Sequence, residues 1–252
     1  MPAAKLTTAE RKTRPPVSAA EAVFQLENGA RMDQATFHEL YLQTPEGFRA
    51  ELIGGTVYVM ASPTSLRHSR PHARVVHWLC LYSDETPGTD VLDNTTSVLG
   101  SESEPQPDAC LVLQPEYGGQ TRTRKDDMLV GAPELVVEVA NTTRAIDLGR
   151  KKADYEKAGV KEYVVVLATE QNVVWFARGS AGFAEIGPGA DGLLRSELFP
   201  GLWLDPRGFF DPSARALSAA IRRGHASPEH AAFVAELATR KKAAAKKPRK
   251  SK

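Results

Sequence analysis

One stretch of the chain, Leu135 to Ala140, is apolar at every position except Glu138. An unbroken apolar run of this length is typical of a strand that helices cover on both faces. A carboxylate buried in such a strand needs a cation or several hydrogen bonds to remain ionised. The pattern therefore predicts a central strand, and it favours a functional role for Glu138 over a purely structural one.

A second apolar strand is predicted from Asp108 to Leu113, directly after Pro107. Aspartate after proline is a common way to start a turn, so Asp108 alone has an ordinary structural explanation. Beside Glu138 on a neighbouring strand, however, its carboxylate completes a pair that suits a hard divalent metal ion. The two strands together predict a site that holds such an ion beside a scissile phosphate.

The other hydrophobic and turn patterns place helices and strands around these two strands. Before them we predict a short helix capped by Asp33 with Phe37, Leu40 and Tyr41 on one face, a hairpin of Phe48 to Ile53 and Thr56 to Met60 around Gly54-Gly55, a helix opened by Ser69 and Pro71 that runs to about Tyr82, and a weak strand around Ser97 to Leu99. After them we predict a loop that continues to Asp127, a helix from the cap Thr143 to Gly159, strands at Val160 to Leu167, Val173 to Ala177 and Phe183 to Ile186, and helices at Ser213 to Arg223 and Pro228 to Ala238.

The alternation of helices and strands predicts the α/β class. The expected organisation is a disordered leader (1–20), one principal domain (21–211), a helical C-terminal extension (212–239) and a basic disordered tail (240–252).

The composition is that of a soluble globular protein, with 42% hydrophobic and 25% charged residues among 252. No apolar run approaches the roughly 20 residues that cross a bilayer, and the first 16 residues lack the apolar segment of a signal peptide. We therefore expect a cytoplasmic protein without a membrane partner. Cys80 and Cys110 both have apolar surroundings, which favours two reduced core thiols over a disulfide or a zinc site.

The net charge of +1 is unevenly distributed. The segment Arg240 to Lys252 has eight basic residues and no acidic one; the rest of the chain has 24 basic and 31 acidic residues, a net charge of −7. Such a tail can bind nucleic acid by neutralising phosphates, and it can equally be a solvated, disordered terminus.

A lysine beside a metal-bound phosphate can orient or deprotonate the attacking water and offset the charge that develops. Lys151 suits that task, although Asp147 lies four residues earlier and an exposed helix salt bridge explains the lysine equally well. Tyr155, on the same helical face, can hydrogen-bond near the phosphate or pack in the core. Glu51 on the hairpin is a third acidic ligand or a solvent-facing strand residue.

Three histidines, His68, His72 and His77, lie on or near one helix. Their spacing does not point all three in one direction, so no zinc site is expected.

Six motifs in a fixed order carry a resemblance to a known family: Glu51-Leu52-Ile53-Gly54-Gly55, Ser62-Pro63 through His68, Pro107-Asp108, Glu138-Val139, Lys151 through Tyr155, and Ala158-Gly159-Val160-Lys161-Glu162-Tyr163. Over Met32 to Phe210 the chain resembles the Uma family of the PD-(D/E)xK, restriction-endonuclease-like superfamily. The resemblance implies a mixed central β-sheet flanked by helices. It also implies a phosphodiesterase site that uses Mg²⁺, with Mn²⁺ as a substitute.

Position by position, the resemblance makes Asp108 the aspartate of the PD motif and Glu138 the acidic residue of an ExV variant. It makes Lys151 the family's helix lysine, because Ala140 occupies the place where the superfamily usually has lysine. Glu51 matches the family's early glutamate and His68 its histidine. The departures are Gly54 for a usual aspartate, Val164 for a usual tryptophan, and Lys152, which leaves the reaching amine ambiguous by one residue.

Three functional hypotheses remain open. The first is a metal-dependent endonuclease that hydrolyses DNA, with Asp108 and Glu138 binding Mg²⁺ and Lys151 activating water. The second is a nuclease fold that binds nucleic acid or a partner protein with weak or absent catalysis. The third is a structural ion cluster of Asp108, Glu138 and Lys151 without metal. A homodimer is plausible because two symmetric sites can cut both strands, and the sequence does not indicate a target sequence.

Overall fold

The computed structural model describes residues 16–60, 65–125 and 127–246. Most of the predicted leader, the Ser62-Pro63 motif and the end of the basic tail lie outside these residues. Within them, the first helix begins at Ala19, capped by the side chain of Ser18, and the last helix continues to Ala245, past the expected boundary at residue 239.

The helices and strands of the described residues alternate along the chain. The helices are α1 (Ala19–Gln25), α2 (Gln34–Tyr41), α3 (Leu66–Asp84), α4 (Arg144–Ile146), α5 (Lys152–Ala158), α6 (Arg215–His225) and α7 (Pro228–Ala245). The strands are β1 (Ala50–Ile53), β2 (Thr56–Val59), β3 (Thr89–Asp93), β4 (Ser97–Val98), β5 (Ala109–Leu113), β6 (Arg122–Thr123), β7 (Leu129–Val130), β8 (Leu135–Ala140), β9 (Glu162–Leu167), β10 (Asn172–Gly179), β11 (Gly182–Glu185), β12 (Leu194–Arg195) and β13 (Trp203–Leu204).

Six strands form the central sheet, in the order β11-β10-β9-β8-β5-β3. Only β8 and β9 pair in parallel there, joined by the crossover through α4 and α5, and the other neighbours are antiparallel. Smaller sheets are formed by β1 and β2, by β4, β7 and β6, and by β12 and β13. The predicted fold class, a mixed β-sheet flanked by helices with a helical C-terminal extension, is confirmed.

The strand β8 is buried at every position, as its apolar run predicts. Leu135, Val137 and Val139 face the core that contains α3, while Val136 and Ala140 face a second core that contains Tyr155 of α5. Helices therefore cover both faces of β8. The hairpin β1–β2 is also confirmed, and the positive φ angles of its two turn glycines, 54° and 74°, are of the kind that glycine adopts without strain.

The helix α3 begins earlier than predicted. Ser65 has the extended conformation of an N-cap, and Leu66 is the first helical residue, so Pro71 lies inside the helix instead of opening it. The sequence argument used proline as a marker of the first turn, which is a common but not an exclusive position. His68, expected just before the helix, belongs to its first turn.

Other predictions were wrong in detail. Between α3 and the predicted weak strand lies an additional strand, β3, which pairs with β5, and the predicted loop to Asp127 contains the short strand β6. Cys80 is exposed, because it lies on the outer side of α3, whereas Cys110 is buried as expected. The helix predicted from Thr143 to Gly159 is interrupted by a π-helical turn at Asp147–Lys151.

Within the described ranges, none of the helices combines the length and the apolar character that crossing a membrane requires.

Candidate active site

Asp108, the residue directly before β5, lies opposite Glu138 of the neighbouring strand β8. The antiparallel register joins Ala109 to Val137, and its continuation by one residue places Asp108 opposite Glu138. Residues that are directly opposite in an antiparallel pair project to the same face of the sheet. The backbone N–H of Val139 also donates to Asp108 Oδ2 at 2.7 Å, which holds this carboxylate against β8. The two acids that the sequence singled out are therefore neighbours on one face.

The carboxylate of Glu138 is only 4% exposed, and its two oxygens have different environments. Oε1 accepts hydrogen bonds from Lys151 Nζ at 3.0 Å and from the Tyr155 hydroxyl at 2.7 Å. Oε2 accepts no hydrogen bond from any described residue. One oxygen of this buried acid thus remains available to a ligand.

Lys151 is the cation of the cluster and is 7% exposed. Its Nζ lies 2.8 Å from Glu51 Oε2 and 3.0 Å from Glu138 Oε1, but 4.0 Å from Asp147 Oδ1. The alternative of an exposed Asp147–Lys151 salt bridge is wrong, since both side chains are buried and the lysine lies closer to the two glutamates. Lys152 Nζ instead lies 4.0 Å from the centre of the Phe176 ring, so the amine in the cluster belongs to Lys151.

Burial alone would lower the pKa of Lys151, but the surrounding carboxylates of Glu138, Glu51 and Asp147 raise it above its usual value. The amine therefore keeps its proton. An ammonium group can stabilise negative charge and donate hydrogen bonds, but it cannot accept a proton from water. Of the roles expected for the lysine, a protonated amine is compatible with electrostatic stabilisation and orientation but not with deprotonation of water.

Glu51 lies on β1, which is buried at every position, so the solvent-facing alternative for this residue is wrong. Its Oε1 accepts from the backbone N–H of Gln106 at 2.7 Å, two residues before Asp108 in the chain. Its contacts with Lys151 Nζ orient the ammonium group. Tyr155 packs in the core, where its ring centroid lies 5.2 Å from that of Tyr163, and its hydroxyl donates to Glu138 Oε1.

His68 connects the first turn of α3 to both strands. Its Nε2 lies 3.4 Å from Asp108 Oδ1, and its Nδ1 donates to the carbonyl oxygen of Val139 at 3.0 Å. The hydrogen bond with Asp108 raises the pKa of His68, although burial opposes this shift. His68 is half-buried and contacts Asp108, the proposed metal ligand.

The sequence analysis missed the contribution of His72. Its Nε2 lies 3.0 Å from the carbonyl oxygen of Asp108 and 2.9 Å from Asp93 Oδ1, and its ring is stacked 5.7 Å from that of His68. The spacing of four residues between the two histidines was the available signal, since such residues share one helical face. The sequence argument examined that spacing only for zinc.

The electrostatics of the cluster indicate a surplus of negative charge. Burial raises the pKa of Glu138 well above its usual value, Lys151 opposes the shift, and Asp108, Asp147 and Glu51 add to it. For Asp108, burial also raises the pKa, but the hydrogen bonds from His68 and Val139 outweigh it and lower the pKa. One ammonium group faces several carboxylates, so an additional cation would stabilise the ionised form of Glu138.

The donor set fits a magnesium ion better than a transition metal. Carboxylate oxygens suit Mg²⁺, which keeps several waters and needs as few as one or two protein carboxylates. Asp108 Oδ1 and Glu138 Oε2 are the oxygens of the pair that the shorter hydrogen bonds leave available. Among the described residues, no group of three or more His, Cys, Asp or Glu side chains is arranged to hold a metal.

The third hypothesis, a structural ion cluster, is only partly consistent with these contacts. Lys151 does pair with Glu138, but its other close partner is Glu51, and Asp108 is held by His68 and by the backbone of Val139. Asp108 thus lies beside the ion cluster without forming an ion pair within it.

Comparisons with known proteins identify a family and a similar solved structure. No curated protein matches the chain. One similar solved structure is a crystal structure of "a putative nuclease belonging to DUF820" from Anabaena variabilis ATCC 29413, with a TM-score of 0.48 and 14% sequence identity, covering 73% of this chain and 97% of that chain.

The Uma2 family model, described as "Putative restriction endonuclease", matches residues 35–207. Restriction-endonuclease-like families are nucleases that generally use divalent metal ions. Because the matched segment spans well over half of the sequence, the chain belongs to the Uma2 family of restriction-endonuclease-like proteins.

Proposed function

We propose that this protein is a magnesium-dependent endonuclease that hydrolyses phosphodiester bonds of DNA. The observation that carries the proposal is the pair of opposed carboxylates, Asp108 directly before β5 and Glu138 on β8, beside a protonated lysine. Such a pair is costly to bury without a cation, and the family is one of nucleases. The arrangement suits the hydrolysis of an anionic substrate.

In this proposal Asp108 and Glu138 hold Mg²⁺, with Mn²⁺ as a substitute. When bound, the ion supplies Lewis acidity toward a phosphoryl oxygen and lowers the pKa of a coordinated water. The protein supplies the fixed positions of the two carboxylates, because the backbone of Val139 holds Asp108 and the hydroxyl of Tyr155 holds Glu138.

Lys151 stabilises the negative charge that develops on the phosphate. Its ammonium group is fixed by Glu51 and Glu138, so little reorganisation is needed when the charge develops. Glu51 acts through the lysine as a positioning residue. His68 likewise acts through Asp108, which it contacts while donating to the Val139 carbonyl.

The test is cleavage of supercoiled plasmid by purified protein in the presence of Mg²⁺ or Mn²⁺. Wild-type protein should nick the plasmid, and chelation of the metal should stop it. Asp108→Asn should lower the rate at least about 100-fold, because it weakens metal binding and transition-state stabilisation together.

Asp84→Asn is the matched control, since this exposed aspartate lies in the last turn of α3. It should nick the plasmid at the wild-type rate. Equal nicking by wild type and Asp108→Asn would attribute the activity to a contaminant and overturn the proposal.

A second candidate function is binding of nucleic acid without cleavage. It is favoured by the ion pairs of Lys151 with Glu138 and Glu51, which offset part of the negative charge of the cluster. Calorimetric titration with Mn²⁺ separates the two candidates. Binding of Mn²⁺ that Asp108→Asn abolishes supports the nuclease, and no binding to the wild type supports the second candidate.

A further inference from the structure

A cavity of about 440 Å³ opens at the first turns of α3. We call it the arginine cleft. It is lined by the first turns of α3, the turn after β9 and the 3₁₀ turn before α6, and the lining residues that matter here are Arg67, Arg70, Thr169, Gln171 and Phe210. Its volume lies within the range of roughly 300–1,000 Å³ that is usual for small-molecule sites.

Direct hydrogen bonds connect the wall of the arginine cleft to the strand that carries Glu138. The backbone N–H of Ala168 donates to the carbonyl oxygen of Ala140 at 2.9 Å, and the Thr169 hydroxyl donates to Asn141 Oδ1 at 3.3 Å. Asn141 Nδ2 in turn donates to Ser65 Oγ, at the N-cap of α3, at 3.4 Å. The cleft therefore lies near the C-terminal ends of β8 and β9, toward which Glu138 of the candidate active site also lies.

The first turns of α3 serve both regions. Arg67 and Arg70 are three residues apart and share one helical face, which lines the cleft. His68 and His72 are four residues apart and share another face, which contacts Asp108. A nucleic-acid strand that passes over the end of α3 would meet the arginines and the carboxylate pair in succession.

The charge of the arginine cleft suits a phosphate group. Arg67 and Arg70 are exposed, and neither forms an ion pair with any residue that the structure describes. The nearby acid, Glu170, is already paired with Arg144 at 3.0 Å. The partly buried ring of Phe210 adds an apolar wall of the kind on which a base or sugar packs.

We propose that the arginine cleft binds one nucleotide of the substrate strand next to the scissile phosphate, with its phosphate held by Arg67 and Arg70. This inference rests on the proposed nuclease function, because it assigns the path of the same substrate. The two guanidinium groups offer bidentate donors to the phosphate, which a lysine could not do equally well.

The test is fluorescence anisotropy of a labelled single-stranded DNA oligonucleotide in the presence of EDTA, which prevents cleavage. The double variant Arg67→Gln/Arg70→Gln should bind at least about tenfold more weakly than the wild type at low salt. Between roughly 50 and 200 mM salt, the slope of log affinity against log salt should flatten by at least about one, because a phosphate contact is lost.

The double variant Arg122→Gln/Lys161→Gln is the matched control. It removes the same charge from two exposed side chains. Lys161 precedes β9 whereas the cleft follows it, a separation of about 20 Å along the strand. Charges at that distance are screened, so binding should change by about twofold or less.

If both double variants weaken DNA binding equally, the proposed role of the cleft is overturned, because the loss of affinity is then a general effect of the lost charge. Thermal melting checks the fold, and both variants should melt as the wild type does, since all four side chains are exposed.

The cleavage experiment keeps this inference separable from the proposed function. If Asp108→Asn abolishes cleavage while Arg67→Gln/Arg70→Gln binds and cuts DNA as the wild type does, nucleotide binding in the cleft is ruled out and the proposed nuclease function is retained. If Asp108→Asn cuts as the wild type does while the cleft variant alone loses binding, the cleft binds nucleic acid and the assigned catalytic site is wrong.

Discussion

Two buried glutamates on neighbouring parallel strands are held in different ways. Glu162, at the start of β9, is 1% exposed, and Glu138, within β8, is 4% exposed. Both oxygens of Glu162 accept two hydrogen bonds each from neutral donors, namely Glu197 N, Leu198 N, Trp175 Nε1 and Ser196 Oγ. Glu138 has its two donors on one oxygen, and one of them is charged.

The difference separates a structural acid from a candidate functional one. Four neutral donors saturate the carboxylate of Glu162, so its role is to fix the segment at residues 196–198 against the sheet. Glu138 keeps an open oxygen and depends on Lys151 for charge compensation. Burial alone therefore does not identify a functional acid; the number and the type of its donors do.

The largest effect is expected from removing the charge that compensates Glu138. Lys151→Met keeps most of the side-chain volume but leaves Glu51 and Glu138 without their cation, and it should lower the free energy of unfolding by about 3–5 kcal/mol. Urea denaturation measures this loss. The loss should be smaller at acidic pH, where protonation neutralises the carboxylates. A loss equal to that of the exposed control Lys161→Met would contradict the ion cluster.

Glu138→Gln should affect activity much more than stability. It removes a proposed metal ligand, so we expect a decrease of at least about 100-fold in the rate of plasmid nicking. It also removes one of several carboxylates around a single ammonium group, so the free energy of unfolding should change by only about 1 kcal/mol. Unimpaired cleavage by a folded Glu138→Gln protein would place Glu138 in the same structural class as Glu162.

Glu162→Gln should show the opposite pattern. The amide nitrogen replaces an oxygen that accepts two hydrogen bonds, so two donors lose their acceptor, and the free energy of unfolding should fall by about 1–3 kcal/mol. Plasmid nicking well below the melting temperature should be unchanged. Loss of cleavage in a protein that melts like the wild type would erase the distinction between the two glutamates.

The smallest effect concerns buried titratable groups without an ionic partner. The rings of His225 and His230 are tilted by 32° with their centroids 4.6 Å apart beside Tyr82, and His225 Nε2 has no hydrogen-bond partner among the described residues. Burial, followed by the neighbouring imidazole, lowers the pKa of His225 below its usual 6.5. The unfolded chain then binds more protons, so this contribution to stability is present above about pH 6.5 and is lost as the pH falls.

His225→Phe keeps an aromatic ring in this position and removes the titrating group. Its free energy of unfolding should depend less on pH than that of the wild type between about pH 7.5 and 5.5. Urea denaturation at several pH values measures the difference. Identical pH dependence in the two proteins would show that the number of protons bound by His225 does not change on unfolding.

The elements that local pattern specifies could be predicted from the sequence. The apolar run of β8 and the apolar strand after Pro107 could be predicted as strands that carry or adjoin Glu138 and Asp108, because runs of apolar residues are a local property. The start of α3 was misplaced because two serines, Ser65 and Ser69, lie near Pro71; the prediction used Ser69, whereas the N-cap is Ser65, four residues earlier.

The donors of Glu162 could not be predicted, because they come from residues 13 to 36 positions away in the chain. The partner of Lys151 was only partly predictable for the same reason, since Glu51 lies 100 positions earlier. The roles of these acids were set by tertiary contacts that no local pattern encodes.

The π-helical turn at Asp147–Lys151 has a consequence for how homologous sequences are compared. Such a turn accommodates one residue more than an α-helical turn, and it rotates everything that follows by about 100°. Deletion of a single residue before Lys151 in this turn would leave the motif Lys151 through Tyr155 unchanged in sequence. It would nevertheless rotate the Lys151 amine away from the acidic cluster. Among homologous sequences, insertions and deletions between β8 and α5 are therefore as informative as substitutions about whether the lysine amine still reaches the residue at position 138.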